Sequence, residues 1–161
     1  MRGDEHAFRV TPSLLDRLID QQPKTPDTLP SRLQSVKDLR DAVRRDLEHL
    51  LNTRNAFADL PPAFTETSRS VIAYGIPDFS ALNIASPRNQ NRLRQMLETA
   101  IRTFEPRLTA VVVTLRAPDK TDRSLGLHVD ARLQIDPAPE PIAFDIVVPL
   151  HTRECQVKDS E

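Results

Sequence analysis

Paired carboxylates are the first residues in this sequence that could carry out chemistry. Glycoside hydrolysis, for example, needs two carboxyl groups roughly 5–9.5 Å apart on either side of a cleft. Glu105 ends a helical pattern, and Asp130 and Asp145 lie on the polar faces of two strand patterns, so the glutamate could face either aspartate. The chain has 23 acidic residues, however, and some such pairing is expected by chance. Solvated surface carboxylates are therefore the favoured interpretation.

The histidines and the cysteine do not have the spacing of a metal site or a nucleophile. No two of His6, His49, His128 and His151 stand at a metal-ligand spacing. Cys155 is the single cysteine, and it lies in a polar C-terminal segment, where we expect an exposed thiol. The sequence also lacks a glycine-rich phosphate loop and a nucleophile-elbow serine. We therefore predict no catalytic residue, no metal and no cofactor.

The triplet Glu105-Pro106-Arg107 stands where a helical pattern gives way to a strand pattern. A glutamate at the C-terminal end of a helix faces the negative end of the macrodipole, at a cost of roughly 0.3–1 kcal/mol. Arg107 offers a rigid fork of donors, and Pro106 limits the backbone freedom that binding would remove. The charged pair could project into a partner surface, or it could fasten the helix end to the strand start. Residue types alone leave both interpretations open.

The segment "YGIPDF" (74–79) places large apolar residues in a predicted turn. Gly75 permits a left-handed backbone and Pro77 stiffens the chain, which reaches Asp78 at the end of the turn. A cap on the edge of the core is slightly favoured over direct partner contact for the apolar members Tyr74, Ile76 and Phe79. The candidates for partner binding in this turn are Tyr74, Gly75, Pro77 and Asp78.

A second apolar candidate lies near the N-terminus, in "SLLDRLID" (13–20). Leu14, Leu15 and Leu18 fall on one side of a short amphipathic helix. The proline-rich stretch 21–30 separates this helix from the rest of the chain and reads as an extended linker. Such a helix either docks in a groove of another protein or packs on its own domain, and the two interpretations have equal weight.

Two long helices and three strands account for the middle of the chain. Helical periodicity predicts helices near 35–53 and 87–104, the second of which ends before Pro106. Strands are predicted at 107–117, 125–135 and 142–150. The last two alternate apolar and polar residues, whereas the centre of the first is apolar on both faces, as in a covered strand.

These elements predict an α+β fold. An antiparallel sheet of at least three strands in the C-terminal half packs against two long helices, preceded by the short helix and the linker. We assign residues 1–34 to the N-terminal tail, short helix and linker, 35–150 to the α+β domain, and 151–161 to a polar C-terminal tail.

The composition indicates a globular protein without nucleic-acid or membrane function. Hydrophobic residues make up 39% and charged residues 28%, and the formal net charge of −1 provides no basic field for anionic partners. No apolar run approaches the roughly 20 residues that cross a bilayer, and the N-terminus has no apolar signal-peptide core. With one cysteine, we predict a cytoplasmic location, no nucleic-acid partner and no direct membrane insertion.

Four stretches, in their order and spacing, resemble the TssE family, the baseplate subunits of the bacterial type VI secretion system. They are "SLLDRL" near the start, "SVIAYGIPDF" in the middle, "IRTFEPRL" at the helix–strand joint and "PIAFDIVVPL" in the last predicted strand. The resemblance covers roughly residues 10–150. The family is homologous to a baseplate wedge protein of contractile-tailed phages and has carried a "lysozyme-like" label.

The resemblance implies a structural role in assembly. Family members help to build the wedge and give the contractile sheath its starting platform, with the Glu-Pro-Arg motif (here Glu105, Pro106 and Arg107) as the signature for those contacts. The implied partners are the wedge proteins TssF, TssG and TssK and the sheath proteins TssB and TssC. The implied location is a bacterial cytoplasmic baseplate docked at the inner membrane complex.

Two alternatives remain open at the level of sequence. A peptidoglycan hydrolase would use Glu105 and would need a route to the periplasm, which this N-terminus does not supply. A stand-alone regulator on the same fold, such as the anti-adaptor IraD, would bind a protease adaptor instead of a baseplate.

Overall fold

The computed structural model describes residues 18, 32–55, 57, 61, 63–79, 82, 86–119, 124–149 and 154–160. Two α-helices and four β-strands form within these ranges. They are α1 (Arg32–Asn52), α2 (Pro87–Phe104), β1 (Leu108–Asp119), β2 (Ser124–Leu133), β3 (Glu140–Pro149) and β4 (Gln156–Asp159). Two short 3₁₀ helices, Thr67–Arg69 and Val71–Ala73, lie between α1 and α2. The predicted α+β fold, with two long helices and an antiparallel sheet, is confirmed.

The four strands form one antiparallel sheet in the order β1-β2-β3-β4, which leaves β1 and β4 at its edges. Strands β2 and β3 pair without interruption from Ser124 opposite Pro149 to Leu133 opposite Glu140. Strand β1 contains a bulge between Thr109 and Val112, where Ala110 has a φ of 50°. Along each strand, successive side chains point to opposite faces of the sheet, and this alternation makes one face apolar over its whole length.

Both helices cover that apolar face. Helix α2 contacts β1 and helix α1 contacts β4, so each helix lies toward one edge of the sheet. The helical side chains of the core are Leu39, Val43, Leu47, Leu50 and Leu51 from α1, and Leu93, Leu97, Ala100 and Ile101 from α2. The facing strand side chains include Val111, Val113, Leu127, Val129, Phe144, Ile146 and Val157. The apolar residues that repeat every 3.6 positions in the helices and every 2 positions in the strands therefore pack together in one core.

Three sequence-based expectations are wrong in detail. The segment 151–161 is not simply a polar tail, because Gln156–Asp159 pairs with β3 as β4, and Cys155 is buried instead of exposed. The outer face of β1 is not covered at its centre, since Val112 is 49% exposed.

The N-terminal predictions lie almost entirely outside the described residues. Of the predicted helix 13–20, only Leu18 is described, and its side chain is 82% exposed. Leu14, Leu15 and the linker 21–30 fall outside the described residues, so their roles stay predictions. Within the described part of the chain, no helix combines the length and apolar character that crossing a bilayer requires.

Candidate partner-binding site

The helix–strand joint forms because Pro106 ends α2 and the chain turns directly into β1. The backbone N–H of Glu105 still donates to the carbonyl of Ile101 at 2.8 Å, as the last helical bond. The N–H of Leu108 then donates to the carbonyl of Glu105 at 3.1 Å and starts the strand. Proline cannot donate a helical bond, and it disfavours helical backbone in the preceding residue. The triplet is therefore fixed on a tight turn between two packed elements.

The charged side chains of the triplet bind each other. Arg107 Nε donates to Glu105 Oε1 at 2.6 Å, and Arg107 Nη2 donates to Glu105 Oε2, which makes a two-pronged pair. The side chain of Glu105 is only 5% exposed, whereas that of Arg107 is 24% exposed. The structure thus shows the intramolecular pairing that was one of the two interpretations. Partner contact by the triplet stays a prediction, and it would involve Arg107 and Pro106 more directly than Glu105.

Asp46 completes this arrangement from helix α1. Arg107 Nη2 donates to Asp46 Oδ2 at 2.6 Å, and Arg45 Nη2 lies 2.9 Å from Asp46 Oδ1. The arginine of the triplet therefore joins the end of α2 to the middle of α1. Sequence reasoning did not single out Asp46. A signal was present, because Asp46 is three residues from Val43 and four from Leu50 on the apolar side of α1, where a charge needs a partner.

The charges of the site favour a permanently ionised arginine and a neutral tyrosine. The hydrogen bond with Glu105 raises the pKa of Arg107 above its usual value, against the lowering effect of burial, and the bond with Asp46 adds to the rise. Burial raises the pKa of Tyr74, and the negative charges of Asp46 and Glu105 raise it further. The Tyr74 hydroxyl therefore remains a hydrogen-bond donor at neutral pH.

A shallow depression of about 300 Å³ lies beside the triplet. Its lining residues are Asp46, Leu50, Tyr74, Phe104, Glu105, Pro106 and Arg107. The rings of Tyr74 and Phe104 meet edge to face, with centroids 5.3 Å apart and planes at 71°. The structure thus brings Tyr74 from the predicted turn together with the triplet on one surface.

The rest of the predicted turn packs against the end of α1. Gly75 has a φ of +108°, and a Cβ there would lie 2.5 Å from the carbonyl oxygen of Thr53. The N–H of Ile76 donates to that same oxygen at 2.9 Å. Ile76 and Phe79 are buried, which agrees with a cap on the edge of the core. In the same turn, Pro77 is half-buried and Asp78 is exposed, and their roles in partner binding stay predictions.

The carboxylates considered for hydrolysis do not share a cleft with Glu105. Asp145 lies on the outer face of the sheet, 2.7 Å from His128 Nδ1 and 2.9 Å from Arg116 Nη2. The hydrogen bond with His128 lowers the pKa of Asp145. Neither Asp130 nor Asp145 lines the depression beside Glu105. Among the described residues, no group of three or more His, Cys, Asp or Glu side chains could hold a metal ion.

In the described part of the chain, two helices lie on one face of a four-stranded antiparallel sheet, and a charged joint connects the second helix to the first strand. The protein is therefore of the α+β class. Residues 37–138 match the sequence model of the family described as baseplate wedge protein gp25. The chain belongs to this baseplate wedge family. The predicted relationship to baseplate proteins is thereby confirmed.

Two further similarities accompany the family match. The chain is 31% identical over 106 residues to the anti-adapter protein IraD of Salmonella arizonae, which covers 66% of this chain and 76% of that protein. A chain in the solved baseplate complex from the type VI secretion system has 16% identity and a TM-score of 0.48, covering 69% of this chain and 94% of that chain.

Proposed function

We propose that this protein is a structural subunit of a type VI secretion baseplate, where it helps to assemble the wedge and to start the contractile sheath. The observation that carries the proposal is the family match over residues 37–138, which covers most of α1, all of α2 and the helix–strand joint. Among the possible roles of a member of this family, the four stretches that resemble TssE favour the type VI secretion baseplate. The role is structural, in agreement with a glutamate that is buried and bound by Arg107.

The proposed contact surface is the depression at the joint. Its accessible polar groups are the outer part of Arg107 and the carboxylate of Asp46, whose side chains are 24% and 29% exposed. Pro106 and the ring of Tyr74 add apolar area beside them. Glu105 acts through Arg107, because it holds the guanidinium in place from below. A rigid, partly apolar surface with a few fixed polar groups is typical of specific protein contacts.

The proposed partners are the wedge proteins TssF, TssG and TssK and the sheath proteins TssB and TssC. The proposed location is a cytoplasmic baseplate docked at the inner membrane complex.

A capture experiment from native lysate tests the joint as an interface. Charge reversal at Arg107 alone is a poor probe, because it would leave Glu105 buried beside a second negative charge. The better variant is Glu105→Gln/Arg107→Met, which removes both charges and keeps similar volumes. The matched control is Arg40→Met/Asp159→Asn, which removes an exposed pair that links α1 to β4.

We expect the wild type and the control to capture wedge and sheath proteins, and the double variant to lose them while its circular dichroism spectrum is unchanged. If the folded double variant captures wedge and sheath proteins as fully as the wild type does, the charged pair of the triplet has only an intramolecular role. Capture of no wedge or sheath protein by the wild type would overturn the type VI proposal.

The second candidate function is that of an anti-adapter, and the 31% identity to IraD favours it. A protein of this kind would bind a protease adapter, and the same capture experiment identifies it. Recovery of an adapter protein in place of wedge and sheath proteins would support this candidate against the first.

A further inference from the structure

Both edges of the sheet are occupied by helical side chains. An edge strand presents unpaired backbone N–H and C=O groups and is a template for pairing with another chain. Here, the outer edge of β1 meets Glu98 and Arg102 of α2, and the outer edge of β4 meets Asn52 at the end of α1. Two of these side chains come from α2 and reach the β1 edge, and the third comes from α1 and reaches the opposite edge. We name Glu98, Arg102 and Asn52 the edge caps.

On β1, the caps supply one acceptor and one donor. The N–H of Val113 donates to Glu98 Oε1 at 3.1 Å, and Arg102 Nη2 donates to the carbonyl oxygen of Val111 at 2.6 Å. Backbone groups two residues apart in a strand point in the same direction, so both groups face away from β2. Glu98 is only 7% exposed, although it is charged and lies at an edge. The N–H of Val113 and the side chains of Arg94 and Arg102 compensate the buried charge of Glu98. The two arginines lie 3.1 Å and 3.5 Å from its carboxylate oxygens.

At the β4 edge, the single amide of Asn52 supplies both an acceptor and a donor, and it binds Cys155, the residue directly before β4. Asn52 Oδ1 accepts from the N–H of Cys155 at 2.7 Å, and Asn52 Nδ2 donates to the carbonyl of the same residue at 2.9 Å. In an antiparallel sheet, a hydrogen-bonded residue pair exchanges these same two bonds. The side-chain amide therefore takes the place that a residue of a neighbouring strand would occupy.

We propose that the edge caps prevent this sheet from pairing edge to edge with a second copy of the chain. A carboxylate, a guanidinium and an amide fill the backbone positions that a strand of another copy would need. The proposal concerns the protein alone and does not depend on its place in a baseplate. It also gives a role to Glu98 and Asn52, neither of which lines the depression at the joint.

Native-state hydrogen exchange of the wild-type protein tests the caps directly. Leu115 and Val157 are the next outward-facing positions along the two edges, and among the described residues no side chain binds their amides. We expect the amides of Val113 and Cys155 to exchange at least about tenfold more slowly than those of Leu115 and Val157, because Glu98 and Asn52 accept hydrogen bonds from the two capped amides. Equal or faster exchange at the capped positions would overturn the proposal.

Sedimentation of two variants tests the consequence. Asn52→Ala opens the β4 edge and Arg102→Ala opens the β1 edge. Arg94→Ala is the matched control for the second, because both arginines pair with Glu98, whereas the bond to the strand carbonyl of Val111 comes from Arg102. For the first, the control is Asn55→Ala, since Asn55 binds the carbonyl of Ala73 away from the sheet edges.

We expect the two cap variants to self-associate at least about tenfold more tightly than the wild type, and the two controls to sediment as the wild type does. Folded cap variants with wild-type sedimentation over the same concentration range would contradict the proposal. If a cap variant does not fold, the exchange measurement on the wild type still tests whether the caps hold the strand amides, on which the proposal depends.

Discussion

At the scale of single residues, the stability of the joint depends on keeping Glu105 and Arg107 together. The Glu105 side chain is 5% exposed, and its carboxylate has Arg107 as its charged partner. Arg107→Met should lower the free energy of unfolding by about 3–5 kcal/mol, because removal of one partner leaves a buried charge uncompensated. Adding Glu105→Gln should recover more than half of that loss, since the amide is neutral and nearly the same shape.

Urea unfolding of the wild type, Arg107→Met and the double variant measures both effects. Asp46 retains Arg45 in all three proteins, so the comparison isolates the buried carboxylate. A loss below about 1 kcal/mol for Arg107→Met would show that the pair has the weak contribution of a surface salt bridge.

At the scale of elements, the turn after the 3₁₀ helices depends on Gly75. Its φ of +108° disfavours any side chain, and an added Cβ would meet the backbone of Thr53, which cannot move without disturbing the end of α1. Gly75→Ala should cost about 1–3 kcal/mol, the usual range for a residue held in a sparsely populated backbone region. Gly126→Ala is the control, because its Cβ would meet only the side chain of Arg116, at 3.2 Å. Thermal unfolding of both variants checks this, and equal losses would contradict the backbone explanation.

The elements also show where sequence reasoning succeeds and where it ends. Both long helices and the first three strands are predictable, because their apolar residues repeat with the period of the element. Strand β4 is not, since "QVKD" has Val157 as its only large apolar residue and depends on pairing with β3. The joint is predictable from its charge and its proline. Its bond to Asp46 does not follow from local sequence, because that contact joins residues 61 positions apart in the chain.

At the scale of the whole molecule, the burial of the Cys155 thiol depends on the packing of the β4 segment against the rest of the protein. Cys155 is 2% exposed, and it lies where β4, α1 and the core meet, with Sγ 3.7 Å from the carbonyl of Leu51. Burial raises the pKa of this thiol to about 11. The native protein therefore holds a proton that the unfolded chain releases at lower pH, near the ordinary thiol value.

The sign of the resulting pH dependence follows from that difference. Because the folded-state pKa is the higher one, the contribution of Cys155 to stability is complete below the unfolded-state pKa and is lost as the pH rises to about 11. Urea unfolding at pH 8 and pH 10.5 should therefore show a larger loss of stability for the wild type than for Cys155→Ala. The other ionisable groups are the same in both proteins, so their contributions cancel in this comparison. Equal losses in the two proteins would mean that the segment carrying β4 separates from β3 and exposes the thiol without global unfolding. The stable part of the sheet would then consist of β1, β2 and β3.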